Sequence, residues 1–306
     1  FALVRAEYAR QRRALGFERR VVSVGAVRWV YVERTAARVD APTLVMVHGY
    51  TGSKENWYRL AKVLGRGYRL LVPDLPGWGE SQRVAGGDHG YAAQADNVAA
   101  FIGTVCAGRA VTLLGHSMGG GIVAVVAARH PELVARVGLF NASGVRFADN
   151  AFGLAVLAGD NPFGVHDATS LEHYLGIVFH DRAARPPMPW PGSLAVIAAR
   201  RNDADFEQSV LDRIGRGDEQ FLPGECAAQI HQPTLLVWGA QDRVIDASAM
   251  DLFAQRIPQA RQLLIDNSGH MTLMERPDLM ADAVAELVAA PDDRQNGPPP
   301  VSGAHT

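Results

Sequence analysis

The sequence predicts an α/β fold, a mostly parallel central sheet flanked by helices and interrupted by a helical insertion. Three observations carry that expectation. From Pro42 onward short apolar runs, "TLVMV", "YRLLVPD", "AVTLLG" and "RVGLFNA", alternate with longer stretches of helical texture. Strands buried on both faces and joined by crossover helices form parallel sheets with right-handed connections. The alternation lapses between about Val145 and His231, then resumes with "PTLLVWG" and "RQLLI". Finally, the apolar runs exit into polar or small residues such as His48-Gly49, Asp74 and Ser117. Sheets of this kind place their active sites at the carboxyl ends of the strands.

Taken in order, residues 1–19 open with "ALVRAEYARQRRAL", an amphipathic helix with Leu3, Val4, Tyr8 and Leu15 on one side and Arg5, Arg10, Arg12 and Arg13 over the rest. Two readings of it stand side by side: peripheral contact with a membrane surface, or packing on the body of the protein. "RRVVSV" and "VRWVYVE", separated by Gly25, read as a hairpin. Residues 20–144 and 232–290 together form the α/β core, which ends in a helix over Pro277–Ala289. Residues 145–231 form a helical cap over the sheet, containing "SLEHYLGIVF", "DFEQSVLDRIG" and the turn-forming run "RPPMPWPGS". Insertions of this size are commonly functional lids. The Pro/Gly-rich tail, 291–306, is expected to be disordered.

Composition narrows the function. The 306 residues are 48% hydrophobic and 20% charged with a net charge of −2, which fits a globular protein and offers no basic field for nucleic acid. No apolar stretch reaches the roughly 18 residues of a membrane span. Cys106 and Cys226 lack metal-ligand spacing and read as free thiols, and no metal or cofactor is called for. The chain opens on Phe1, so removal of a preceding segment stays open, as does a cytoplasmic or membrane-associated location. Oligomeric state is not legible.

The chemistry concentrates at strand exits. Gly115-His116-Ser117-Met118-Gly119 has the G-x-S-x-G spacing of a nucleophile elbow, set between a β-type run and the small-residue helix "GGGIVAVVAARH". A serine hydroxyl is a weak nucleophile and needs a base and an orienting acid. Asp242 in "WGAQDRV" follows one apolar strand and His270 in "DNSGHMTLMERP" follows the next. Asp246 is the alternative acid. His116 is adjacent to the serine but should point away from it. Backbone N–H groups of Met118 and Tyr50 would stabilise an oxyanion, with Thr51 the alternative to Tyr50. Expected substrate contacts are Trp78 and Met271 from the core and Phe163, Phe179 and Trp190 from the cap, whose apolar residues also include Phe152, Leu157, Tyr174 and Met188.

Together "HGYTGS", "DLPGWGES", "GHSMGG", "WGAQDRVID" and "GHMTLMERP" resemble α/β-hydrolase-fold lipases and esterases, nearest to bacterial lipases related to the membrane-associated monoacylglycerol lipases. The resemblance implies an α/β-hydrolase fold and a cofactor-free carboxylic-ester hydrolase. Its small-molecule substrate would be an acyl ester or lipid, such as a monoacylglycerol or a short- to medium-chain ester. It also implies Ser117 as nucleophile, Asp242 as acid, His270 as base, and Tyr50 and Met118 as oxyanion donors. One rival on the same fold is a carbon–carbon bond hydrolase of meta-cleavage products. That branch resembles a Gly-Asn-Ser-Met-Gly-Gly elbow with tryptophan after the histidine, where this chain has His116 and Met271. Its anionic substrate would need an inward cation among Arg182, Arg185, Arg200 and Arg201, all expected to be mostly solvated. The other rival is a ligand receptor with little turnover.

Overall fold

The computed structural model describes residues 2–187 and 190–291. The expectations for Met188 and for the 292–306 tail lie outside the described residues. Eight strands form one sheet: β1 (Glu18–Val24), β2 (Val27–Arg34), β3 (Thr43–Val47), β4 (Arg69–Pro73), β5 (Val111–His116), β6 (Val134–Phe140), β7 (Thr234–Gly239) and β8 (Arg261–Ile265). Their spatial order is β1-β2-β4-β3-β5-β6-β7-β8. The hairpin β1–β2 and the β2–β4 pair are antiparallel, and every pair from β4 to β8 is parallel. This is the predicted architecture.

The continuous apolar runs follow from a sheet covered on both faces. Along β3, Val45 and Val47 enter one core cluster while Leu44 and Met46 enter the other. Along β7, Leu236 and Trp238 separate in the same way from Leu235 and Val237. A period-2 chain with both faces buried has no polar alternation to show. Helices α2 (Tyr58–Val63) and α11 (Pro277–Ala289) cover one face; α3 (Tyr91–Val105), α4 (Met118–Arg129) and α9 (Ser248–Arg256) cover the other. The short α10 (Thr272–Glu275) precedes α11.

Between β6 and β7 the chain is helical: α5 (Ala151–Ala158), α6 (Ala168–Val178), α7 (Gly192–Gly215) and α8 (Leu222–Ala227). Helix α5 ends at Gly159, whose φ of 104° is the left-handed cap glycine adopts without penalty. The N-terminal helix α1 (Ala2–Ala14) packs on α7, with Val4 reaching Gly192, while Leu15 just beyond it packs against the core. Arg10 and Arg13 face outward. Both cysteines are free and buried. Among the described residues no helix is long and apolar enough to cross a membrane.

Candidate active site

The turn from β5 into α4 puts Ser117 at φ 57°, ψ −122°, a conformation that non-glycine residues rarely occupy and that the surroundings must enforce. The glycines on either side make it possible. A Cβ on Gly115 would overlap the Gly119 carbonyl, and one on Gly119 would overlap the Val47 and His48 carbonyls. Gly49 serves the same close approach, since a Cβ there would lie 2.8 Å from that of Ser117. The G-x-S-x-G spacing is thus a packing requirement as well as a motif.

Asp242 and His270 meet at the exits of β7 and β8. His270 Nδ1–H donates to Asp242 Oδ2 at 2.8 Å, which leaves Nε2 as the acceptor nitrogen. The other carboxylate oxygen, Oδ1, accepts the Val244 and Ile245 N–H groups at 2.8 and 3.0 Å. Asp246 makes no such contact: its Oδ1 accepts the Ser248 N–H at 2.9 Å, at the start of α9. Ser117 and His270 line the same small cavity, about 20 Å³. Among the described residues the Ser117 hydroxyl has no hydrogen-bond partner, and such contacts commonly tighten only with substrate bound.

Several supporting groups are not among the site residues expected from the sequence. Asn141, at the exit of β6, donates from Nδ2 to Asp242 Oδ2 at 2.7 Å and accepts the Thr272 hydroxyl at 2.8 Å. Glu275 accepts the Gly269 N–H at 3.0 Å on one oxygen and the His180 and Asp181 N–H groups on the other, tying the His270 loop to the insertion. Asn141 follows a strand, as Ser117 and Asp242 do, and that position was the available clue. Behind the site, His116 Nε2–H donates to the His270 carbonyl at 2.7 Å, and burial pushes its pKa down to about 3. His48 Nδ1–H donates to the Gly49 carbonyl and its Nε2 accepts from the Leu75 N–H; burial pushes its pKa down to about 4. Both are neutral imidazoles acting as struts.

The Tyr50 and Met118 backbone N–H groups have no protein acceptor among the described residues, and both residues line a larger cavity with Ser117, about 110 Å³. Thr51 lines neither cavity at Ser117. Tyr50 is fixed by its hydroxyl, which donates to the Glu207 carbonyl at 2.7 Å, and by edge contact with Trp78. The larger cavity is mostly apolar, with Phe152, Val156, Phe163, Leu211, Ile214 and Ile245 in its wall. Phe163 also lines the smaller cavity, as does Met271.

Three of the expected substrate contacts lie elsewhere. Trp78 packs edge-on against Tyr50 and, with other residues of the loop after β4, lines an outer cleft of about 700 Å³ between α1 and α7. Phe179 is 3% exposed in the core, beyond the end of α6. Trp190 is 78% exposed, next to an exposed Pro191 just before α7. The expectation for the arginines also needs correction. Arg200 is turned inward, with 11% of its side chain exposed, but its Nε pairs with Glu207 at 2.8 Å. Arg185 is similarly sheltered and paired with Glu172, while Arg182 is solvated.

This geometry defines a class. The sequence model of the alpha/beta hydrolase fold matches residues 42–277, and the chain belongs to that family. It is 28% identical over 257 residues to lipase 1 of Psychrobacter immobilis, covering 83% of this chain and 78% of that protein. It is 26% identical over 304 residues to monoacylglycerol lipase abhd6-A of Xenopus laevis, covering 96% and 89%. Among solved structures, a membrane phospholipase A described as a bacterial virulence factor superposes with a TM-score of 0.86 at 28% identity, over 94% of this chain and 91% of that one.

Proposed function

We propose that the chain is a serine carboxylic-ester hydrolase acting on acyl esters of lipid type, with Ser117, His270 and Asp242 as its triad. The observation that carries the reading is the bond from Asp242 to His270 beside a strained Ser117, at the meeting of a small cavity and a larger apolar one. Ser117 Oγ attacks the ester carbonyl while His270 Nε2 takes its proton. The oxyanion accepts the Tyr50 and Met118 N–H groups, which are fixed in advance and need no reorganisation. The start of α4 adds a favourable dipole. The C–O bond breaks, the alcohol leaves with the proton from His270, and water repeats the sequence on the acyl-enzyme.

The proton's route assigns the two cavities. The leaving oxygen must lie on the His270 side, so the small cavity holds the alcohol and the larger one the acyl chain. Helices α5 to α8 then act as a cap whose underside forms the acyl wall. Monoacylglycerols and short- to medium-chain esters fit this division, as do the names of the relatives. The carbon–carbon reading lacks support because none of Arg182, Arg185, Arg200 and Arg201 lines either cavity at Ser117, and Arg146, which lines the larger one, is paired with Asp149. Peripheral membrane contact through the outward Arg10 and Arg13 of α1 belongs to the same proposal.

The test is a side-by-side kcat/KM comparison of monoacylglycerols, p-nitrophenyl esters from acetate upward and a meta-cleavage dienoate. Ester turnover with a maximum above acetate is expected. A dienoate turned over more efficiently than every ester would replace this reading.

A further inference from the structure

The wall of the larger cavity carries a polar pair that hydrolysis of a plain acyl chain does not need. Tyr91, at the start of α3, holds its phenol oxygen 2.6 Å from Ser143 Oγ, and both residues line the cavity. Ser143 lies beyond β6, and its N–H donates to the Ser117 carbonyl at 3.2 Å, which sets the pair at the ester end of the cavity. The Tyr91 ring is 1% exposed and packs where Gly121 lacks a side chain; a Cβ there would lie 2.6 Å from the ring.

A proton inventory gives the pair its meaning. Each hydroxyl has one proton, and one proton makes the bond between them. Whichever oxygen donates, the other O–H remains, and among the described residues neither hydroxyl has a second partner. Burial pushes the Tyr91 phenol above its ordinary range, so it stays protonated. An unspent donor in a mostly apolar cavity is unfavourable until an acceptor reaches it.

We propose that Tyr91 and Ser143 form a donor subsite that selects acyl chains carrying an ether, hydroxyl or keto oxygen close to the ester carbonyl. The inference rests on the ester-hydrolase reading and adds a substrate preference to it. Because the bond between the hydroxyls can run in either direction, the free proton can be supplied by either residue. Losing one hydroxyl leaves the other's O–H available, and only the loss of both empties the subsite.

The test compares p-nitrophenyl 3-methoxypropionate with p-nitrophenyl pentanoate, a pair in which one oxygen replaces one methylene. The kcat/KM ratio of the oxygenated to the plain ester is measured in the wild type, Y91F, S143A and the Y91F/S143A double variant. Thermal unfolding checks that each variant is folded. The double variant should lower the ratio about three- to tenfold, the worth of one neutral hydrogen bond, with each single variant staying near the wild-type ratio. Hydrolysis of both esters with the wild-type ratio kept in the double variant overturns the subsite alone. If the wild type hydrolyses neither ester, the ester-hydrolase reading falls and the subsite with it.

Discussion

The strand exits of the core and the helices over residues 145–231 build the site by opposite means. At the strand exits, buried carboxylates have specified partners: Asp242 accepts four hydrogen bonds, from Asn141, Val244, Ile245 and His270. Asp74, 0% exposed, fixes the next loops by accepting Lys54 Nζ at 2.7 Å and the Lys54 and Glu80 N–H groups. The insertion supplies mainly apolar surface. All of α5, "AFGLAVLA", is apolar; Phe152 and Val156 line the cavity, and Leu154 and Leu157 are 50% and 43% exposed. Directional bonds in a dry setting hold geometry, whereas apolar volume tolerates exchange if the space stays filled. On the proposed function, changes in the core should therefore alter whether reaction occurs, and changes in the insertion should alter which substrate reacts.

The largest effect should come from Ser117→Ala. Alanine keeps the backbone under the same strain and removes only the hydroxyl, so ester turnover should fall on the order of 10⁶-fold with thermal unfolding little changed. Activity above a few per cent in a folded variant would remove Ser117 from the mechanism. Next, Asp242→Asn should cost about 10⁴-fold by presenting the wrong histidine tautomer. Asp246→Asn keeps an amide oxygen for the Ser248 N–H and removes only the charge near the start of α9, so it should leave turnover within about threefold while costing roughly 1 kcal/mol of stability or less. Exchanged phenotypes in these two variants would show that the acid is Asp246.

The same division decides what the sequence could say. On the proposed function, the roles of Ser117, Asp242 and His270 were legible in the sequence because each stands after an apolar run and in a glycine-bearing turn. Asn141 and Glu275 were not, because their partners are found only through the fold: Asn141 bonds Asp242 across 101 positions and Glu275 bonds Asp181 across 94. In the insertion, α5 has no polar face and so no helical period to read. Helix α7 begins at Gly192, inside the turn-forming run "RPPMPWPGS", which hides its first residues. Trp190 was expected in the pocket on its apolar character alone, which does not say which side of a helix start faces the protein.

A third prediction concerns the struts. His116 and His48 have native pKa values of about 3 and 4, below the unperturbed 6.5, because burial favours the neutral ring. Below about pH 6.5 the unfolded chain takes up protons that the native state refuses. The stability these rings contribute is therefore complete above 6.5 and is lost as pH falls toward their native values. Urea unfolding should show a decline approaching 1.4 kcal/mol per pH unit for each ring between about pH 6 and 4.5. His116→Gln, which cannot titrate, should flatten that slope by about one proton. An unchanged slope would mean that the ring is protonated in the native state, and the contrast between a rigid core and an adjustable insertion would lose one of its supports.

The smallest expected effect is the one that isolates the insertion. Each methylene buried in the acyl cavity contributes about 0.8 kcal/mol, so kcat/KM should climb about fourfold per methylene from acetate upward, until the cavity is full, and then drop. Val156 already packs tightly against α7, its Cγ1 lying 2.8 Å from where a Cβ on Gly215 would be. A larger side chain at that position cannot grow toward α7 and must enter the cavity it lines. Val156→Phe should therefore move the optimum about two methylenes shorter while leaving acetate turnover within about threefold, because the strand exits are untouched. Esters of increasing chain length, assayed in parallel with the wild type, check this. If Val156→Phe lowers turnover of all esters equally, the insertion is setting the geometry of the reaction as well as the space for the substrate, and the division drawn between the two regions is wrong.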